Sequence, residues 1–167
     1  MLDKSLRKNK KGEVMVEALV AISVAVVGLL GVFEFVSRSF SLNRVIADQY
    51  VGTYLAAEGI ELVKNLVDSH PWNSPDAIPD ADPTDYEIDF QELSLQPIIS
   101  ASQPLLFDDQ YYNYSNGQPT KFHRIISIDP TLNNGDEIKV VSRVSWSTRG
   151  GGQSKSEVES HFFNLQQ

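Results

Sequence analysis

The chain has 167 residues, with 14 Lys and Arg against 22 Asp and Glu, which gives a net charge of −8 near neutral pH. This length fits one soluble domain together with a membrane anchor. The negative charge disfavours nucleic-acid binding through phosphate neutralisation. The lack of cysteine excludes disulfides, thiol chemistry and cysteine metal sites.

Residues 1–12 are short, polar and basic, and we expect no regular fold there. They hold five of the basic residues and one acid, so the chain without them carries −12. The basic residues are Lys4, Arg7, Lys8, Lys10 and Lys11. Because Lys and Arg beside an apolar helix stay cytoplasmic, the rest of the chain should lie outside the cell.

An apolar run follows this basic segment. Ala18 to Phe33 comprises sixteen residues without charge or proline, and a count from Val14 reaches the ~20 residues that an α-helix needs to cross a bilayer. A secretory signal peptide has a shorter apolar region and a small-residue cleavage site, which this sequence lacks. We therefore predict a retained membrane-spanning helix over residues 13–36. Gly28 and Gly31 are either ordinary membrane-helix glycines or points of close helix approach.

Glu17 is the one carboxylate between Val14 and Phe33. A carboxylate within an apolar helix is costly unless it is paired, neutralised or held at the interface. Two interpretations stay open on this ground alone: Glu17 lies at headgroup depth without a partner, or it receives a positive charge from elsewhere.

The order of basic leader, Gly12, Glu17 and unbroken apolar helix resembles the processing site of type IV prepilins and pseudopilins. The resemblance implies that a prepilin peptidase cuts between Gly12 and Glu13 and that the new N-terminal residue, Glu13, is N-methylated. It also implies that Glu17 pairs with the N-terminal amine of a neighbouring subunit during assembly, so that two charges costly in lipid neutralise each other. The family usually has an apolar residue first after the cut, where this chain has Glu13.

Residues 37–68 read as an amphipathic continuation of the helix, with polar residues among apolar ones at helical spacing. We expect a broad buried face and a largely solvated acidic surface at Glu58 and Glu61. The apolar positions form two series: Leu42, Ile46, Tyr50 and Tyr54, and then Ala47, Val51, Leu55, Leu62 and Leu66. Pro71 should end the helix, because the residue before a proline is pushed out of the α region.

Residues 71–85 contain four prolines and an excess of acids, which predicts a loop. Its carboxylates Asp80, Asp82 and Asp85 are either solvated or a partial match to a calcium loop.

The remaining chain has the alternating pattern of β-strands. Short strands are predicted at 86–90, 104–107 and 111–114, and longer ones at 122–128, 137–148 and 154–165. Turns are expected at 115–117, 133–136 and 149–153. In the first long strand, Phe122, Arg124, Ile126 and Ile128 share one face. The prediction is an α+β fold in which a long N-terminal helix packs on an antiparallel sheet of a head domain, residues 69–167.

Little in the sequence indicates catalysis. His70, His123 and His161 are not at metal-ligand spacing, and the sequence has neither a nucleophile elbow nor a phosphate-binding loop. Asn113-Tyr114-Ser115 is a formal glycosylation triplet. We therefore expect no cofactor, no metal and no enzymatic activity.

These observations favour a structural subunit of a type IV pilus-like filament. Its expected partners are the prepilin peptidase, other pilin subunits and, before assembly, lipid of the cytoplasmic membrane. We expect a single-pass protein with its C-terminal domain outside, moved into a filament at the cell surface. The alternative is a membrane-anchored extracellular binding domain that never polymerises. The sequence does not separate a major from a minor subunit, or motility from adhesion, DNA uptake or secretion.

Overall fold

A computed structural model describes residues 7–72, 74, 84–91, 94–132 and 136–164, with backbone alone for 7–11, 84 and 131. In this part of the chain one long helix precedes a seven-stranded sheet. The elements are α1 (Arg7–Ser69), β1 (Thr84–Ile88), β2 (Leu95–Pro97), β3 (Pro104–Phe107), β4 (Tyr112–Asn113), β5 (Gln118–Leu132), β6 (Glu137–Ser147) and β7 (Gln153–Phe163). The helix packs on the antiparallel sheet, so the predicted α+β class is confirmed.

Helix α1 begins earlier than the sequence predicted. We expected no fold before residue 13, but the helix already begins at Arg7, so that expectation for the leader is wrong from this residue on. Arg and Lys are good helix formers, and they continue the helix that the apolar run requires. The predicted end next to Pro71 is confirmed at Ser69. There the Ser69 hydroxyl donates a hydrogen bond to the Leu66 carbonyl at 2.9 Å.

Strand β5 is the central strand of the sheet, because β1, β3 and β6 all pair with it. Along one side it pairs with β6, and β6 in turn pairs with β7. Its other side is shared: β1 pairs with Ile126–Ile128, whereas β3 pairs with the segment between Gln118 and His123. The short strands β2 and β4 lie outside β1 and β3, and all these pairings are antiparallel.

The long strands and their faces agree with the prediction, whereas the short strands differ. Strand β2 was not predicted, since three residues carry too little alternation to be recognised. Thr84 and Asp85 belong to β1 and not to the acidic loop, because β5 supplies them with a pairing partner. The rest of that loop from residue 75, and the turn at 133–135, lie outside the described residues.

Two compact units divide the chain between residues 45 and 46, and the sheet belongs to the second. Within this second unit, the last part of α1 packs closely on the sheet. A Cβ added at Gly52 would lie 2.3 Å from Cζ3 of Trp146, and one added at Gly59 would lie 2.3 Å from Oγ of Ser142. Glycine at these positions therefore allows the helix backbone to approach the sheet directly.

One of the two predicted apolar series of α1 is not buried. Leu42, Ile46, Tyr50 and Tyr54 are 60% to 73% exposed, so the expectation of burial for this series is wrong. The core instead takes residues that centre on another side of the helix. They are Leu55, Ala56, Ile60, Val63, Leu66 and Val67. Only the packed sheet decides which side of a helix with apolar residues on several faces becomes the interior.

Candidate functional site

In the first half of α1 the large apolar side chains are exposed. Its large apolar side chains from Val14 to Val36 are 43% to 74% exposed. Contiguous exposed apolar surface of this extent is typical of contact with lipid or with another apolar surface. Within the described residues, α1 is the one helix long and apolar enough to cross a membrane, and its most apolar window has no buried residue.

Glu17 is an exposed carboxylate on this apolar surface. None of the described basic side chains lies within ion-pair distance of it. The sequence explains this, because no Lys or Arg occurs between Lys11 and Arg38. Glu34 on the same helix is different, since its Oε1 lies 2.6 Å from Nη2 of Arg38 one turn further on. Among the described side chains, Glu17 therefore has no partner of the kind that Glu34 has in Arg38.

Gly12 and Glu13, the residues on either side of the predicted cut, lie within the helix and are exposed. A Cβ at Gly12 would meet nothing within 4 Å, so packing does not require glycine there. Glycine costs a helix about 1 kcal/mol relative to alanine. Gly12 therefore makes this point of the helix easier to open than its neighbours.

Gly28 and Gly31 also lie in open space, with no atom within 4 Å of an added Cβ. They are three residues apart and share one side of the helix. Unlike Gly52 and Gly59, they are not explained by contacts within the chain.

The second half of α1 carries a glutamate with a partner. Arg124 on β5 has a side chain that is only 1% exposed, and its Nη1 donates to Oε1 of Glu58 at 3.2 Å. The same guanidinium donates to the backbone carbonyls of Ile88 at 2.8 Å and Leu55 at 3.4 Å. One buried cation thus joins α1, β1 and β5. The expectation that Glu58 is merely solvated is wrong.

Tyr114 covers this cluster. Its hydroxyl donates to the Arg124 carbonyl at 3.2 Å, and its ring centroid lies 6.0 Å from the Arg124 guanidinium carbon. Burial raises the pKa of the Tyr114 hydroxyl to about 12. In the sequence, Arg124 shares the apolar face of its strand with Phe122 and Ile126. A charged residue at such a position could have predicted a buried ion pair.

The remaining polar candidates do not come together as a metal site. Asp80 and Asp82 lie outside the described residues, and the Asp85 carboxylate accepts a hydrogen bond from Ser127. Among the described side chains, no three His, Asp or Glu residues are grouped as metal ligands would be. Asn113 of the glycosylation triplet is fully buried.

Comparisons with protein-family models, with curated proteins and with solved structures give no match for this chain. The candidate functional site is therefore defined by the structure of this chain alone. It is an apolar helix of membrane-spanning length with Gly12, Glu13 and Glu17 exposed at its start.

Proposed function

We propose that this chain is a structural subunit of a type IV pilin-like filament. It is made as a prepilin, held in the cytoplasmic membrane by residues 13–36, and cut by prepilin peptidase between Gly12 and Glu13. The amine of Glu13 is then methylated. In the filament the apolar half-helices pack against one another in place of lipid, while residues 69–167 face outward. The activity is assembly, without catalysis.

The observation that carries this proposal is Glu17. It is exposed on an apolar helix and has no ion-pair partner among the described residues. A carboxylate in lipid needs a compensating charge. Removal of residues 1–12 would create a positive amine four residues before Glu17, about 6 Å along the helix axis. The same amine on a neighbouring subunit supplies the partner that the described part of the chain does not offer.

The basic leader sets the orientation in this proposal. Its Lys and Arg residues stay on the cytoplasmic side, and the head domain is outside. Cutting removes five basic residues and leaves a chain with a net charge of −12. The partners are thus the peptidase and lipid before assembly, and other pilin subunits after it.

The first test is the intact mass and N-terminal residue of the protein from native membranes and from sheared surface material. We expect a chain that begins at Glu13, with the mass of one added methyl group. A chain that still begins at Met1 in cells with active prepilin peptidase would overturn the proposal and favour the anchored, non-polymerising binding domain.

The second test is Glu17→Ala, with Glu34→Ala as the matched control. Both changes remove a helix carboxylate, but Glu34 already has Arg38 as a partner on its own chain. We expect Glu17→Ala to be inserted and cut normally yet absent from sheared filaments, and Glu34→Ala to assemble. Normal filament yield from Glu17→Ala would contradict the assigned role of Glu17.

A further inference from the structure

Three connections of the head domain meet beside the end of β1. The first joins β1 to β2 and contains Gln91 and Ser94. The second joins β2 to β3 and contains Gln103. The third is the turn between β4 and β5, with Tyr114 and Ser115. Loops that converge on a rigid sheet are a frequent place for binding sites.

These connections enclose a cavity of about 420 Å³, within the usual range for small-molecule sites. Its described lining combines amides, carboxyls and hydroxyls with almost as much apolar surface. The lining residues are Glu87, Ile88, Asp89, Gln91, Ser94, Gln96, Pro97, Gln103, Tyr114 and Ser115. None of these described residues is Lys, Arg or His.

Hydrogen bonds hold the lining in place. Asp89 Oδ1 accepts a hydrogen bond from the backbone N–H of Gln91 at 3.2 Å, and Asp89 Oδ2 accepts one from the backbone N–H of Tyr114 at 3.0 Å. The Ser115 hydroxyl donates to Oε1 of Gln91 at 3.3 Å. Both oxygens of Asp89 are therefore already engaged in holding two of the three connections together. Polar groups fixed in this way lose little freedom when a ligand binds.

Glu87 is the exceptional residue of the cavity. Its Oε1 accepts a hydrogen bond from the backbone N–H of Gln103 and so fixes the second connection, between β2 and β3. Burial raises the pKa of the Glu87 carboxyl, although that hydrogen bond and the charges of His123 and Arg124 oppose the rise. A partly desolvated carboxyl that lines a cavity and has no ion pair among the described residues is a candidate for ligand binding.

The residues of the lining indicate which class of ligand the cavity can bind. With no described cation in the lining, phosphates, carboxylates and nucleic acid would meet only like charge. An apolar ligand would leave the amides and carboxyls without partners. The carboxyls of Glu87 and Asp89 already accept hydrogen bonds from the protein, but they would still attract a cation, so the cationic class is the one that the test below separates. Sugar hydroxyls both donate and accept, and glutamine amides and carboxyls together offer both kinds of group.

We propose that this cavity between β1, β2 and the β4–β5 turn binds a neutral carbohydrate, with Glu87, Gln91 and Gln96 as its hydrogen-bonding residues. This inference is independent of filament assembly, because the cavity lies within the second compact unit. It assigns the head domain a recognition role that filament formation does not require.

The test uses the full chain in a detergent without a sugar headgroup, so that the detergent does not compete. Neutral hexoses, N-acetylhexosamines and their disaccharides are screened by saturation-transfer NMR and titrated by calorimetry. We expect at least one of them to bind, and Gln96→Ala to weaken it about tenfold, the loss of one or two hydrogen bonds. Gln153→Ala, at an exposed position on β7, is the matched control and should bind as the unaltered protein does.

A second variant and a second probe separate the neutral from the cationic class. Glu87→Gln keeps the shape of the side chain and one acceptor oxygen, replaces the other oxygen by an NH2 donor and removes the charge, so sugar binding should fall about threefold or less. Methylguanidinium and lysine amide serve as cationic probes. The proposal is overturned if no sugar binds, if Gln96→Ala and Gln153→Ala behave alike, or if only the cationic probes bind and Glu87→Gln abolishes that binding.

Discussion

Helix α1 places two glutamates in opposite situations. Glu17 lies on an exposed apolar surface and has no ion-pair partner among the described residues, whereas Glu58 pairs with Arg124, whose side chain is 1% exposed. The first half of the helix leaves its apolar side chains exposed, and the second buries one side on the sheet. Glu58 is thus a determinant of folding, and Glu17 is available for a contact that the folded chain does not make itself.

The glycines of α1 also differ between the two halves of the helix. Gly52 and Gly59 allow the helix to approach Trp146 and Ser142, whereas Gly28 and Gly31 face open space. A substitution in the second half should therefore change the stability of the folded chain. A substitution in the first half should act mainly on association with lipid or with other subunits, apart from the local helix preference of the new residue.

The largest effect on stability is expected from Glu58→Ala. It leaves the buried Arg124 guanidinium without its carboxylate, and because Glu58 is itself partly exposed the expected cost is the lower end of that for a buried pair, about 3 kcal/mol of unfolding free energy. The measurement is urea unfolding of the full chain in detergent, followed by the fluorescence of Trp72 and Trp146.

Two further variants sharpen this result. Glu61→Ala, at an exposed position of the same helix, should change the unfolding free energy by less than about 0.5 kcal/mol. Replacement of both Glu58 and Arg124 by Met should recover most of the loss, because no charge is then left unpaired. Equal effects of Glu58→Ala and Glu61→Ala would show that Glu58 does not hold Arg124.

Gly52→Ala should have the next largest effect. The added Cβ would lie 2.3 Å from Cζ3 of Trp146, so the helix or the indole must move, at a cost of about 1–3 kcal/mol. Gly28→Ala is the matched control in open space, where alanine should favour the helix. Both are measured by the same urea unfolding, and a smaller loss for Gly52→Ala than for Gly28→Ala would contradict the close helix–sheet contact.

The smallest effect concerns the pH dependence of the β6–β7 pair. Hydrogen bonds to Glu137 and Glu159 raise the pKa of His161 above its usual 6.5. The folded state therefore favours the protonated ring, so its stabilising contribution is complete below the unfolded pKa and is lost as pH rises through the folded pKa.

In His161→Gln the urea midpoint should consequently fall less between about pH 6 and about pH 9 than it does in the unaltered chain. Glu159, whose pKa is lowered by hydrogen bonds to Lys139 and His161, loses its contribution only in acid, outside this window. Glu137→Gln should change the pH profile in the same direction but by less, because Glu159 still bonds the ring, and an unchanged pH profile in both variants would exclude this contribution.

The sequence alone was sufficient for the helix, the long strands and their faces. Twenty residues with one carboxylate have no regular alternative to a helix in lipid, since only a helix satisfies all backbone groups within one segment. Strands β5, β6 and β7 are long enough for alternation to fix which side chains turn inward. The interpretation of Gly12, Glu13 and Glu17 came instead from a resemblance to prepilin processing sites, and it stays a prediction about assembly.

The tertiary structure determined which side of the helix is buried and which distant residues come into contact, and residue spacing does not determine either. It selected Leu55, Val63 and Leu66 for the core over the equally periodic series that ends at Tyr54, because Gly52 and Gly59 let only one side of the helix approach the sheet. It also brought Glu58 to Arg124 across 66 residues and assembled the Glu87 cavity from three separate connections. Such contacts depend on strand order and helix rotation, which are set by the packing of the whole domain and not by the local pattern.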